Sequence, residues 1–140
     1  MATKRDRHFY VQAVQRYFDT MDTGDVDGCV ACFAPSGTLT CENSPMTLKG
    51  PKQLGAFFAR LHSNTKRMVH TPTHWVVDAE KGTVAVEIIY KNARKVGTKL
   101  DMENCNFFVF DKQGRFKRVR FWTGAFIDQK AARAFARKLP

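Results

Sequence analysis

Asn106 stands at the head of the run Asn106-Phe107-Phe108-Val109-Phe110. An amide buried among rings must find hydrogen-bond partners, so Asn106 either makes a structural bond or serves a pocket. His70, in Val69-His70-Thr71-Pro72-Thr73, carries an imidazole. A group that titrates near neutrality suits general acid–base work. The competing readings are a satisfied core histidine, or a surface one if the strand phase is reversed. His74 shares that phase unless a bulge at Pro72 shifts it, and it reads as a half-exposed strand residue. Tyr17 reads as a packed tyrosine that keeps one hydrogen bond, and Asp22 as a turn residue or a buried carboxylate. Cys29 and Cys32 form a C-x-x-C with no second such pair and no flanking histidine. Zinc is therefore not expected, and packing on one helical face explains the spacing equally well.

These residues need elements to hold them. Apolar positions at Tyr10, Ala13, Val14, Tyr17, Phe18 and Met21 follow the i, i+3, i+4, i+7 rule. They predict a first helix from about Asp6 or His8 to Met21, ended by Gly24. Asp25 is a suitable N-cap for a second, short helix, with Val26, Cys29, Val30 and Phe33 as its buried stripe and a stop at Pro35. Thr38–Cys41 and Met46–Leu48 form a short strand pair across Asn43-Ser44-Pro45. Gly50-Pro51 opens a third helix that ends near Ser63-Asn64, with Leu54, Phe57, Phe58 and Leu61 on its apolar face. Four longer strands come next at about Met68–Asp78, Thr83–Asn92, Lys99–Phe110 and Arg115–Phe126, each junction marked by turn residues. Pro72 marks a bulge or an edge position in the first of them. A last helix is expected over Gln129–Leu139, capped by Asp128.

The chain of 140 residues predicts one domain, with the polar residues through Arg7 expected to be mobile. Its net charge is +10, and the excess is uneven. Met1–Tyr90 holds ten Lys/Arg against nine Asp/Glu, while Lys91–Pro140 holds thirteen against four. A basic half can attract nucleic acid, an anionic membrane or an acidic ligand, but here it is spread over several elements and reads as a solvated surface. No apolar run approaches the roughly 18 residues of a membrane span, and no signal-peptide pattern opens the chain, so a cytoplasmic protein with reduced thiols is expected.

Three helices, two of them opening the chain, and then a long four-stranded meander resemble the nuclear transport factor 2-like fold. That superfamily includes ketosteroid isomerase, SnoaL-like polyketide cyclases, scytalone dehydratase and related dehydrochlorinases. The resemblance spans roughly Phe9 to Phe126. It is carried by Val14-Gln15-Arg16-Tyr17, Gly24-Asp25-Val26-Asp27-Gly28, Phe33-Ala34 and Phe107-Phe108-Val109-Phe110 with Gly114. It implies an α+β architecture: a cone-shaped α+β barrel, three N-terminal helices on a strongly curved antiparallel sheet, plus the C-terminal helix. It also implies a homodimer through the outer sheet face, where Arg118, Arg120 and Trp122 would lie near Glu103 and Cys105.

Carried over by position, Tyr17 falls where the isomerase has its oxyanion-hole tyrosine, and Asn106 where it has its second donor. Cys41 falls on the general-base aspartate, so isomerisation by that base is not implied. The dehydratase and dehydrochlorinase branch uses an Asp–His dyad, matched here by Asp22 after helix one and His70 on the first long strand. Such a pair can remove an acidic C–H proton in elimination, isomerisation or aldol closure. Cys41, Phe57, Phe58, Leu61, Val86, Ile88, Phe108, Val119 and Phe121 would line the apolar cavity, or simply fill the core. No cofactor and no metal is implied.

Two classes of function are open to such a chain. One is a cofactor-independent lyase, isomerase or cyclase acting on a small apolar carbonyl-bearing molecule of polyketide, terpenoid or steroid type. The other is a non-catalytic module that binds an apolar ligand, an acidic protein or RNA. No RNA-binding motif is present to support a nucleic-acid partner.

Overall fold

The computed structural model describes residues 4–44, 46–97, 99–124 and 137–138. Helix α1 (Arg7–Thr23) starts where the Asp6 side chain accepts from the Phe9 backbone N–H, and it buries the six predicted apolar positions. Arg5, just before it, donates to the Lys112 carbonyl at 2.8 Å and lies over the Phe9 ring. The helix stops at Gly24, whose φ of 78° is left-handed. Helix α2 (Val26–Ala31) is capped by the Asp25 side chain on the Gly28 N–H. Phe33 was expected on the stripe of that helix. Instead it opens strand β1 (Phe33–Cys41), and Pro35 lies inside the strand. The short helix is over one turn earlier, at Cys32, so Phe33 reaches the core as a strand residue.

Strand β2 (Met46–Lys49) pairs with β1, and α3 (Gly50–Ser63) comes next with Pro51 in its first turn. Strands β3 (Thr65–Asp78), β4 (Thr83–Arg94), β5 (Leu100–Phe110) and β6 (Phe116–Thr123) complete a curved six-stranded sheet of order β2-β1-β6-β5-β4-β3. Every neighbouring pair is antiparallel except β1 with β6, which run parallel. Helix α1 packs mainly on β3 and α3 on β1, with α2 between the two helices. The expected C-terminal helix falls, but for residues 137 and 138, outside the described residues.

Strand β3 is an edge strand, and its pairing with β4 shifts between Pro72 and His74. Proline cannot donate to a ladder, which suits both an edge and a bulge. The extra residue reverses the side-chain phase. Met68 and His70 face inward before it, while Trp75 and Val77 pack on the core after it and His74 stands exposed opposite Glu87.

Among the described residues no helix is long and apolar enough to cross a membrane.

Candidate active site

The last turn of α1 and the first half of β3 meet at Asp22 and His70. The Asp22 carboxylate accepts twice. Its Oδ2 takes the His70 backbone N–H at 2.9 Å, and its Oδ1 lies 2.5 Å from His70 Nδ1. The first bond fixes the strand against the helix, and the second fixes the ring. With Nδ1–H donating to Asp22, the other ring nitrogen, Nε2, carries the lone pair. The imidazole is 8% exposed and is clamped between rings. Phe18 stacks on it at 5.0 Å and 9°, and Tyr90 packs at 4.8 Å. Asp22 stands at the negative end of the α1 dipole, and that last turn holds no basic residue. The two bonds from His70 supply this carboxylate with hydrogen-bond donors there.

His70 is part of the wall of a partly open cavity of about 140 Å³. Its other lining residues are Tyr17, Met21, Leu39, Phe57, Leu61, Ile88, Tyr90, Met102, Asn104, Asn106, Phe121 and Thr123. None of the described lining residues is a lysine, arginine, aspartate or glutamate, although the chain carries a net charge of +10.

Tyr17 enters this wall from α1. Its ring is held edge-on by Phe33, Phe58, Phe108 and Phe116. Burial pushes the phenol well above its ordinary pKa, so it stays protonated and able to donate. Asn106 projects into the same wall from β5, and its Oδ1 is buried with no hydrogen-bond partner among the described residues.

The structure therefore brings His70, Tyr17 and Asn106 to the wall of one cavity, with Asp22 just behind it, bonded to His70. Of the apolar residues expected to line the cavity, Phe57, Leu61, Ile88 and Phe121 do so. Phe58, Val86, Phe108 and Val119 are sealed in the core, and Cys41 is buried outside the wall. Strand alternation gives the correct face for Val86, Phe108 and Val119, but it does not give depth along the strand. They lie further in, where the aromatic cluster of α1 fills the space.

Asn104 and Thr123 line the cavity and were not singled out. Asn104 could have been found from Asn106, two residues along the same strand face. Thr123 needs the β5–β6 register, which pairs it with Asn104. Cys29 and Cys32 are free thiols that burial pushes up to about 11, and Cys32 Sγ bonds the Gly28 carbonyl. They pack α2 rather than face the cavity.

Known proteins share this architecture. The model of the SnoaL-like domain family matches residues 14–119. The fold is similar to that of the BvnE pinacolase from Penicillium brevicompactum, with TM-score 0.75 and 17% identity over 98% of this chain and 94% of that one. It is similar to PrhC from Penicillium brasilianum NBRC 6234, with TM-score 0.77 and 14% identity over 94% and 91% of the two chains. A putative polyketide cyclase from Xanthomonas campestris pv. campestris gives TM-score 0.73 and 18% identity over 83% and 90%. At these identities the likeness is one of fold. No curated protein matches the chain.

Proposed function

The chain belongs to the SnoaL-like domain family, with a nuclear transport factor 2-like fold, and from there we propose that it is a cofactor-independent lyase, isomerase or cyclase. Its substrate is a small apolar carbonyl compound of polyketide, terpenoid or steroid type, held in a cone that the curved sheet and the helices enclose. The observation that carries this reading is the 2.5 Å contact between His70 Nδ1 and Asp22 Oδ1, at a wall whose described lining residues include no Lys, Arg, Asp or Glu.

In this mechanism His70 Nε2 takes a proton from the carbon next to the carbonyl. The C–H electron pair moves into the C–C bond, and the carbonyl π pair moves onto oxygen. Asp22 holds the ring in the productive tautomer and balances the imidazolium that forms. The Tyr17 hydroxyl and the Asn106 amide donate to the developing oxyanion within a mostly apolar wall. Return of the proton to another carbon gives isomerisation, loss of a β-substituent gives elimination, and attack on a second carbonyl gives ring closure. The substrate decides among the three, because all share this first step.

That first step is measurable without the natural substrate. Exchange of α-protons of 1-tetralone in deuterated water, followed by NMR, should be accelerated by the protein. His70→Ala should lose about 10²–10⁴-fold of that acceleration while its circular dichroism spectrum is unchanged. Tyr17→Phe should lose about 10²-fold. Undiminished exchange in folded His70→Ala would remove the mechanism.

The same reading includes a homodimer through the outer face of the sheet. Supporting it, that face presents half-buried Ile89, Phe107, Val109 and Trp122 together with the exposed Val76. Trp122 pairs with Cys105 across the strands, and the Arg120 guanidinium lies 4.7 Å over its ring.

A further inference from the structure

We propose that Asn104 and Thr123 form a second recognition subsite in the cavity, which takes a hydroxyl or carbonyl group at the far end of an uncharged substrate. This inference rests on the cavity being the substrate pocket of the proposed enzyme, and adds what the substrate must carry.

Three observations meet here. First, Asn104 and Thr123 sit directly opposite each other on β5 and β6, and both line the cavity. Second, Asn104 Oδ1 and Thr123 Oγ1 are each buried without a hydrogen-bond partner among the described residues, and so is Asn106 Oδ1 one step further in. Buried polar atoms are nearly always paired, so three orphans on one wall are unusual for a core. They do not satisfy one another, although the register makes Asn104 and Thr123 neighbours.

Third, the Thr123 backbone is clamped while its hydroxyl is left free. Asn43 accepts from the Thr123 N–H at 2.6 Å and donates to its carbonyl at 3.0 Å. The next residue, Gly124, donates to the Glu103 carbonyl at 3.0 Å. A Cβ on Gly124 would stand 2.7 Å from that same oxygen, so the end of β6 lies closer to β5 than a side chain would permit. The strand end is thus fixed, and the hydroxyl it presents has no partner within the described residues. Pre-positioned polar groups of this kind are how apolar pockets fix orientation.

The chemistry of the ligand is set by the donor set. Amides and a hydroxyl both donate and accept, so they suit hydroxyl and carbonyl groups alike. The described lining residues offer no Lys or Arg to hold a carboxylate or a phosphate, and no Asp or Glu to hold an amine. His70 lies on β3 and Asn104 on β5, two strands apart, which is about 10 Å across the sheet. A cavity of about 140 Å³ is close in size to one that takes up benzene, so it encloses about one ring, and the rest of a larger ligand extends through its open side.

Four bicyclic ketones test this by NMR-detected titration: 1-tetralone, its 6-hydroxy and 6-methyl derivatives, and its 6-carboxylate. The wild-type protein should bind the hydroxy compound about tenfold or more tighter than the methyl one, and the carboxylate most weakly. In Asn104→Leu/Thr123→Val the hydroxy-to-methyl ratio should fall towards one, with affinity for the methyl compound kept or improved. Thr123→Ser, which retains the hydroxyl, should keep most of the preference. A wild-type ratio of one, a ratio unchanged in the double variant, failure of every ketone to bind, or a carboxylate that binds as tightly as the hydroxy compound would each overturn the proposal. His70→Ala should leave the ratio intact. A lost ratio with α-proton exchange retained therefore counts against this subsite alone, and a retained ratio without exchange counts against the catalytic reading alone.

Discussion

His62 stands apart from His70 and Asp22, on the last turn of α3, yet it feels the same carboxylate. Its Nε2 is buried without a hydrogen-bond partner among the described residues. Burial lowers its pKa below the ordinary 6.5, and the nearby Asp22 charge only partly opposes that. Between the lowered folded value and about 6.5 the unfolded chain binds the proton more readily than the folded one. Stability is thus present above pH 6.5 and drains away as pH falls through the folded pKa. In His62→Gln the midpoint of thermal unfolding should vary less with pH across that window; an identical pH profile would count against it. At this scale the sequence was informative about type and silent about depth. His70, Asp22, Tyr17 and Asn106 could be named because their side chains are chemically distinctive and matched known positions. Phe108 and Val119 could not be told from Phe121, since all three alternate inward and only the packed cluster around Tyr17 decides which faces a void.

Elements decide where those side chains arrive. Helix α1 contributes Tyr17, Phe18, Met21 and Asp22 on successive turns of one face, and Gly24 sets the point at which the helix releases the chain. Gly24 has φ 78°, and the nearest atom to a Cβ built there is His62 Nδ1 at 3.8 Å, so space is not the constraint. The backbone is, because L-residues lose about 1–2 kcal/mol in that region. Gly24→Ala should therefore lower stability by about 1 kcal/mol in urea unfolding and slow α-proton exchange by displacing Asp22, without closing the cavity. Both helix ends were legible because caps are local chemistry, as Asp6, Asp25 and Gly24 illustrate. The start of β1 was not, since Phe33 fits a helical stripe as well as a strand, and only its pairing with Phe116 settles the matter. The inward turn of His70 and outward turn of His74 depended on the bulge that Pro72 signalled but did not locate.

At the scale of the whole molecule, charge and shape separate. No lysine or arginine is among the described residues that line the cavity, so ligand binding there should be insensitive to salt. The outer face, by contrast, mixes apolar and basic groups, and Arg120 is tied to Glu42 at 2.6 Å beside Trp122. If two copies meet there, Trp122→Glu should shift the sedimenting species from dimer to monomer while the far-ultraviolet spectrum is retained. A sedimentation coefficient the same in variant and wild type would argue that the face stays open. The order of the sheet is not that of the chain. Strand β1 lies between β2 and β6, and its parallel partner is the last strand of the described sheet. Thr38 pairs with Arg118 and Cys41 with Phe121, so this ladder joins the first third of the chain to the last. For a chain emerging from the ribosome, this means that β1 and β5 lack their shared partner until residues 116–123 have left the exit tunnel. The dyad can form earlier, from α1 and β3, whereas the wall that carries Asn104 and Thr123 is completed last. A chain stalled before β6 would hold the His70–Asp22 contact without the Asn104–Thr123 pairing across the cavity wall.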